Sequence, residues 1–352
     1  MGLRTYVLRR IVYTFILIIF VITLNFIIFL ALGDPTQHFI NPTGRLTPEE
    51  MQRQLEAVRR TYGLGEPLHI RYVKSLVSLL TFNFGRSIMT SEPVISIMLR
   101  KLPYTIFLLG TSLVVAITIG IILGVLAAYK RGSPFDTVSV GASLFLYSVP
   151  IFWLGLIFIY YFGRVWKLVP VYHAYPTEWA RHFPVPFQIS SSASSASLNI
   201  QFTLTEEFPV FIEGFLSHAF LPMFTLIVFQ YGGYLLLTRA VMLEALTEDY
   251  VITARAKGVP ERTVLLRHAL KNASLPLITN IAMSFGFIFS GAVITETLFT
   301  YQGIGKWLYD AALQMDFNVL MPAFYICALA VILANFIADL LYGIIDPRIK
   351  YE

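Results

Sequence analysis

Six stretches of this chain run for about twenty residues or more with almost no charge, long enough for a helix to cross the roughly 30 Å hydrocarbon core of a bilayer. They are 11–32, 102–129, 137–162, 215–237, 277–295 and 319–345, and only the last contains an Asp, Glu, Lys or Arg, namely Asp339. With 56% hydrophobic and 13% charged residues and a mean hydropathy of +0.68, the chain is far more apolar than a soluble domain of its size. The expectation is an all-α integral membrane protein with six transmembrane helices at those positions. Between them lie a tail at 1–10, a long segment at 33–101, a loop at 163–214 and a charged loop at 238–276.

Six spans put both termini on one side. The first run follows Arg4, Arg9 and Arg10, but its length exceeds the apolar core of a signal peptide, so it reads as a retained helix. The 26 Lys and Arg divide 13 and 13 between the two sides. Within the long 33–101 segment only the residues near helix ends bear on orientation, and scoring those alone leaves 13 against 8. The termini and the 238–276 loop are therefore expected in the cytoplasm. Arg100 and Lys101, hard against the second run, argue the other way.

The charged loop holds the sequence EALTEDYVITARAKGVPERTVLLRHALKNASLP, Glu244 to Pro276, between two apolar spans. Gly258 can take the left-handed conformation that closes a helix, Pro260 suits the first turn of the next, and Ala254 and Ala256 keep the turn slim. This predicts a charged helix-turn-helix elbow able to enter a partner's groove. Two further helix starts are legible. Thr47-Pro48-Glu49-Glu50 is a capping box followed by Met51, Leu55 and Val58 on one face, a short amphipathic helix outside the membrane. Ser133-Pro134-Phe135-Asp136 caps the third span after a tight Lys130-Arg131 hairpin. The stretch from Pro170 to Glu213, with SSSASSAS at 190–197, reads as an exposed loop.

Enzyme chemistry is hard to find. The single Cys327 sits in an apolar helix, and the six histidines show no zinc-ligand spacing, so no metal site is expected. Ser143 with His218 would make an intramembrane serine hydrolase, but Ser143 lacks the sequence context of a nucleophile elbow. Gly303-Ile304-Gly305 lacks the rest of a dinucleotide fingerprint, and there is no Walker sequence for ATP. A proton-coupled carrier usually buries several ionisable groups in its spans, and here only Asp339 qualifies. Asp339 is either a water-reachable or Arg-paired carboxylate or a contact near a cytoplasmic gate. Glu296, at the outer end of the fifth run, belongs either to a pore mouth or to headgroup level. Gly120 and Gly124 form a small-residue face for close helix packing.

Several motifs together carry a resemblance: Arg239, Met242-Leu243-Glu244, Glu248-Asp249-Tyr250-Val251, Thr253-Ala254-Arg255-Ala256-Lys257-Gly258, Arg267 to Ala273 and Pro276. Tyr62 to Leu68, Gly85-Arg86-Ser87, Leu102-Pro103-Tyr104-Thr105, Ser148 to Phe152, Gly291 to Glu296, Gly303-Ile304-Gly305, Asn335, Asp339 and Asp346 to Ile349 extend it over nearly the whole chain. The sequence resembles the permease subunits of oligopeptide, dipeptide and nickel ATP-binding cassette (ABC) importers. It departs in having Ile252-Thr253-Ala254 where importers in general carry Glu-Ala-Ala, and Tyr301-Gln302 and Met315-Asp316 where the peptide branch has other pairs.

The resemblance implies a type I importer permease fold, with residues 102–352 as the permease domain and cytoplasmic coupling helices in the elbow. It implies a transport subunit of a prokaryotic inner or plasma membrane, not an enzyme. The implied partners are a homologous second permease, two cytoplasmic ATPases that carry the ATP and Mg, an extracytoplasmic binding protein and the lipid bilayer, with no nucleic acid and no cofactor on this chain. Peptide is the first substrate class, oligosaccharides and nickel chelates the alternatives. The implied ATPase-coupling residues are Glu244, Glu248, Asp249, Tyr250, Thr253, Ala254, Arg255, Ala256, Lys257, Gly258, Val259 and Pro260. Candidates for the translocation path are Thr105, Ser112, Ser143, Ser148, Asn280, Ser284 and Glu296, although each hydroxyl or amide can instead bond back to its own helix.

Overall fold

A computed structural model describes residues 3–32, 47, 49–50, 52–53, 56, 65–180, 187–194, 197–204 and 206–345; side chains at 3–7, 180–204 and 338–345 lie outside that description. Among the described residues five helices are long and apolar enough to cross a membrane: α1 (Leu3–Ala31), α3 (Val94–Tyr129), α6 (Phe208–Ala245), α8 (Glu261–Ser290) and α11 (Phe317–Ile345). The sixth crossing is a bent pair, α4 (Pro134–Ser148) and α5 (Ile151–Phe158) with its following π-turn (Ile159–Val165), broken by 97°. Helix α2 (Leu68–Leu80) precedes α3, α7 (Asp249–Ala256) forms the elbow, and α9 (Val293–Leu298) and α10 (Ile304–Leu313) connect α8 to α11.

The apolar run at 137–162 therefore does not form one straight span. Pro150 has no N–H to continue the ladder and forces Val149 out of the helical region, to φ −76° and ψ 128°. The start of α4 is as the sequence indicates: the Ser133 side chain accepts from the Asp136 N–H at 3.3 Å, with Pro134 in the first turn. The Thr47 box also forms, Glu50 N–H donating to Thr47 Oγ1 at 3.3 Å and the Glu50 carboxylate accepting from Thr47 N–H at 2.9 Å. Met51, Leu55 and Val58, expected on the face of that helix, lie outside the described residues.

The serine-rich loop is not wholly irregular. Phe187–Ser194 (β1) pairs antiparallel with Ser197–Leu204 (β2), Phe187 opposite Leu204 and Ile189 opposite Phe202. Alternation of Phe187, Ile189 and of Ile200, Phe202 is the period-two signal of a strand, hidden in sequence by the intervening serines.

Helices α3 and α6 form the central packing. Lipid offers no hydrophobic gain for joining helices, so close van der Waals contact must hold them, and small residues allow it. A methyl group at Gly120 would lie 2.9 Å from the Tyr231 carbonyl, and one at Gly124 would lie 2.8 Å from that of Leu235. The two helices run parallel, their last turns meeting at the elbow. On the other flank of α6, α4 runs antiparallel and Ser143 packs against Gly232. Helix α8 pairs with α11, and α1 lies at the edge against α11 and α2. There Asn25 donates to the Met321 carbonyl at 2.8 Å, and Phe29 meets Phe317 edge-on at 5.3 Å between centroids.

Candidate functional site

The elbow is a rigid cap fixed to three helix ends. In α7, Val251 and Ala254 are buried against Val125 and Ala128 at the end of α3, Met242 and Ala245 at the end of α6, and Val264, Leu265, Ala269 and Ala273 in α8. Its C-terminus closes as a Schellman motif. The Gly258 N–H donates to the Arg255 carbonyl at 2.9 Å, the Val259 N–H to that of Ala254 at 3.2 Å, and Gly258 has φ +76°. Pro260 precedes the first helical residue of α8 rather than occupying it, its carbonyl accepting from Thr263 at 2.8 Å and Val264 at 3.1 Å. Arg255 reaches across the turn to Glu261, Nη2 to Oε1 at 2.7 Å and Nε to Oε2 at 3.3 Å. Both partners are part-exposed, so the pair contributes at most about 1 kcal/mol.

The outward face carries Glu244, Glu248, Asp249, Thr253, Arg255, Ala256, Lys257, Gly258 and Pro260, all exposed. Tyr250 and Val259 are half-buried, and Ala254, expected on the interface, instead points into the subunit. One residue of the outward face escaped the sequence reading. Ile252 is 55% exposed amid these charges. Its spacing from Glu248 and Ala256, four residues each way, was the available signal. An apolar side chain flanked by polar ones is the anchor by which a short helix seats in a groove.

Just above the elbow, Asp136 of α4 accepts from Arg239 of α6 at 2.6 Å (Nε) and 2.8 Å (Nη2), and from the Gly132 N–H at 2.9 Å. The carboxylate is almost fully buried. This ties the Lys130–Arg131 hairpin to α6 through a paired contact whose carboxylate is buried. Sequence marked Asp136 only as part of a helix cap.

At the far end of the spans two brackets join motifs that are distant in sequence. Glu296 is wholly buried and accepts from Thr105 Oγ1 at 3.0 Å, Ala292 N–H at 3.2 Å and Lys306 N–H at 3.0 Å, while Thr105 accepts from Ile304 N–H at 2.7 Å. Gly303 passes so close that an added methyl group would lie 2.6 Å from the Glu296 carboxyl carbon. Glu296 is thus enclosed within the subunit, its carboxylate accepting from loop amides. In the second bracket, buried Asp316 accepts from Ser87 Oγ at 2.6 Å and Ile88 N–H at 3.0 Å, and Asn318 donates to the Arg86 carbonyl at 2.9 Å.

The remaining path candidates divide by exposure. Thr105, Ser112 and Ser143 are fully buried, and Ser112 bonds back to Leu108 O at 2.6 Å. Ser148 is exposed at the α4–α5 bend and donates to Leu144 O at 2.7 Å. Asn280 is exposed; Ser284, half-buried, accepts from Tyr234 at 2.7 Å and donates to the Asn280 carbonyl at 2.8 Å. The Asp339 side chain lies outside the described residues. Ser143 cannot serve with His218. It packs at Gly232, fourteen positions along α6 from that histidine, or about 21 Å at 1.5 Å per residue.

Residues 120–351 match the family of the binding-protein-dependent transport system inner membrane component. The chain is 34% identical over 320 residues to the dipeptide transport system permease protein DppB of Escherichia coli (strain K12), covering 91% of each. It is 37% identical to the di/tripeptide transport system permease protein DppB of Pseudomonas aeruginosa (strain UCBPP-PA14), over 91% of this chain and 90% of the relative. With the oligopeptide transport system permease protein AppB of Bacillus subtilis (strain 168) it shares 32% identity, over 99% and 100%.

Proposed function

The chain belongs to the family of binding-protein-dependent transport system inner membrane components, and from that premise we propose that it forms one wall of a peptide import path and couples it to ATP hydrolysis on other chains. The observation that carries the coupling role is the elbow, a charged cap with one exposed isoleucine, anchored by Val251 to the ends of α3, α6 and α8. A cap so fixed delivers a push to the ends of three spans at once.

In this reading the elbow and both termini face the cytoplasm of a prokaryotic cell. Two ATPases hold the ATP and Mg, one of them taking the outward face of α7 in its groove; a second homologous permease completes the path, and a binding protein delivers cargo at the far end. Closure of the ATPases rotates the elbow and rocks the spans from inward-open to outward-open. Peptide is the favoured cargo because the relatives named above are dipeptide, di/tripeptide and oligopeptide permeases. The serine hydrolase reading fails on the Ser143–His218 separation. A proton-coupled carrier is disfavoured because no charged side chain occurs at 215–237 or 272–295.

The test is to purify the tagged chain from native membranes in mild detergent, identify what accompanies it, and assay the reconstituted complex for peptide uptake. A second permease and Walker-motif ATPases should co-purify, and uptake should require ATP. Uptake that survives ATP depletion but stops when the proton gradient is collapsed would overturn the proposal.

A further inference from the structure

An open, uncharged polar strip runs along α6 between α4 and α8. At about 100° per residue, Gln230 and Tyr234 stand one step round α6 from Phe229 and Gly233, which lie on the α4 side; Tyr234 packs on Gly120 of α3 and reaches α8 through its hydroxyl, and the surface at Gly233 and Gln230 is partly exposed. Tyr147 of α4 walls one side, stacked on Phe229 at 5.9 Å and 18°. A Cβ at Gly233 would meet only the Tyr147 ring edge, at 3.8 Å. On the other side the Tyr234 hydroxyl donates to Ser284, which donates to the Asn280 carbonyl. The side-chain amides of Gln230, half-exposed, and Asn280, exposed, have no hydrogen-bond partner among the described residues.

An unpaired amide facing hydrocarbon costs several kcal/mol, so two of them in adjoining spans mark a face that meets something polar. Helix α6 runs toward the elbow and α8 away from it. Gln230 therefore lies one turn beyond the Tyr234–Ser284 pair on the far side and Asn280 one turn toward the elbow. The strip is about 12 Å long at 1.5 Å per residue, the reach of about three to four residues of extended chain.

We propose that this strip is the cargo-contacting wall of the path and that it binds the backbone of a short peptide through neutral amide and hydroxyl groups. The inference rests on the peptide-import reading above. Neutral donors and acceptors match peptide N–H and C=O groups whatever the side chains, and the absence of fixed charge leaves cargo of either sign free to move on.

The experiment uses the whole reconstituted transporter. Gly233→Leu extends a side chain into the strip from a position whose Cβ meets only the Tyr147 ring edge, in ordinary contact at 3.8 Å, and it favours the helix. Uptake should fall by at least about tenfold while the complex assembles and hydrolyses ATP, since the isobutyl group would occupy the space the peptide backbone needs and offers it no donor or acceptor. In a Cys327→Ala background, Asn280→Cys should react with a charged thiol reagent, more slowly in the presence of a dipeptide. Undiminished uptake by Gly233→Leu, or no labelling in any nucleotide state, would make the strip lipid-facing. Loss of the second permease from Gly233→Leu would make it a subunit interface. Either outcome overturns the proposal. If the wild-type complex carries no peptide, the peptide reading fails separately, and labelling still decides whether the strip faces water.

Discussion

Replacing Gly258 tests whether elbow stiffness couples ATP hydrolysis to transport. Beyond its chain neighbours, no atom among the described residues lies within 4 Å of a Cβ at this position, so crowding against them does not penalise a side chain there. The penalty is the backbone: φ is +76°, and the left-handed region costs an L-residue roughly 1–2 kcal/mol, more if it is β-branched. The Schellman bonds from Gly258 and Val259 hold the end of α7 in one orientation relative to α8. A cost of that size reduces the population of the closed turn by a factor of about 5 to 30. Asparagine tolerates this conformation better than alanine, and alanine better than valine. ATP-dependent uptake by reconstituted complexes should therefore fall in the order Gly258→Asn, Gly258→Ala, Gly258→Val, with membrane insertion unchanged and ATP hydrolysis less affected than uptake. If valine couples as wild type does, the elbow does not transmit the stroke. If asparagine is as damaging as valine, the loss comes from collision with the ATPase and the strain argument is wrong.

Other substitutions separate recruitment from folding. Ile252→Lys should weaken ATPase retention in pull-downs while leaving permease yield unchanged, because Ile252 makes its case by exposure and not by packing. Asp136→Asn leaves Arg239 without its carboxylate and should cost about 3 kcal/mol, as for breaking a buried pair, read as a lower melting temperature of the purified complex in detergent; unchanged melting would remove the pair from the structural argument. Gly303→Ala should fail to accumulate, since its methyl group would lie 2.6 Å from the Glu296 carboxyl carbon; normal yield and activity would show that the bracket opens readily.

The spans were legible because hydrocarbon excludes charge and a charge-free run advertises itself. Their ends were not. Helix α3 begins at Val94, eight residues before the uncharged run, and α6 extends to Ala245, eight beyond it, because nothing outside the hydrocarbon forbids Arg100, Lys101 or Arg239 in a helix. The elbow could be read from Gly258 and Pro260, whose backbone requirements are local. The brackets could not: Thr105 and Glu296 are 191 positions apart and Asp136 and Arg239 are 103 apart, and only the fold brings them together. The break at Pro150 lay in plain view, but apolar residues on both sides made one run of it.

Two registers around α6 indicate where motion is concentrated. Asp136 meets Arg239, and seven residues along each helix Ser143 meets Gly232, so α4 is held antiparallel to α6 at two levels about 10 Å apart. On the opposite flank Gly120 packs at Tyr234 and Gly124 at Thr238, holding α3 parallel at a constant offset. Helices α3, α4 and α6 are thereby one body. Helix α8 touches α6 far less extensively than α3 does and pairs chiefly with α11, and along the strip the Tyr234 hydroxyl links it to α6 through Ser284. A push at the elbow, which joins α6 to α8, should open and close that gap rather than deform the α3–α4–α6 body. In a Cys327→Ala background, a short thiol crosslinker between Tyr234→Cys and Ser284→Cys should arrest uptake. The same bridge between Asp136→Cys and Arg239→Cys, which replaces one link with another inside the body, should preserve it. Equal arrest by both bridges, or by neither, would mean that the hinge does not lie between α6 and α8.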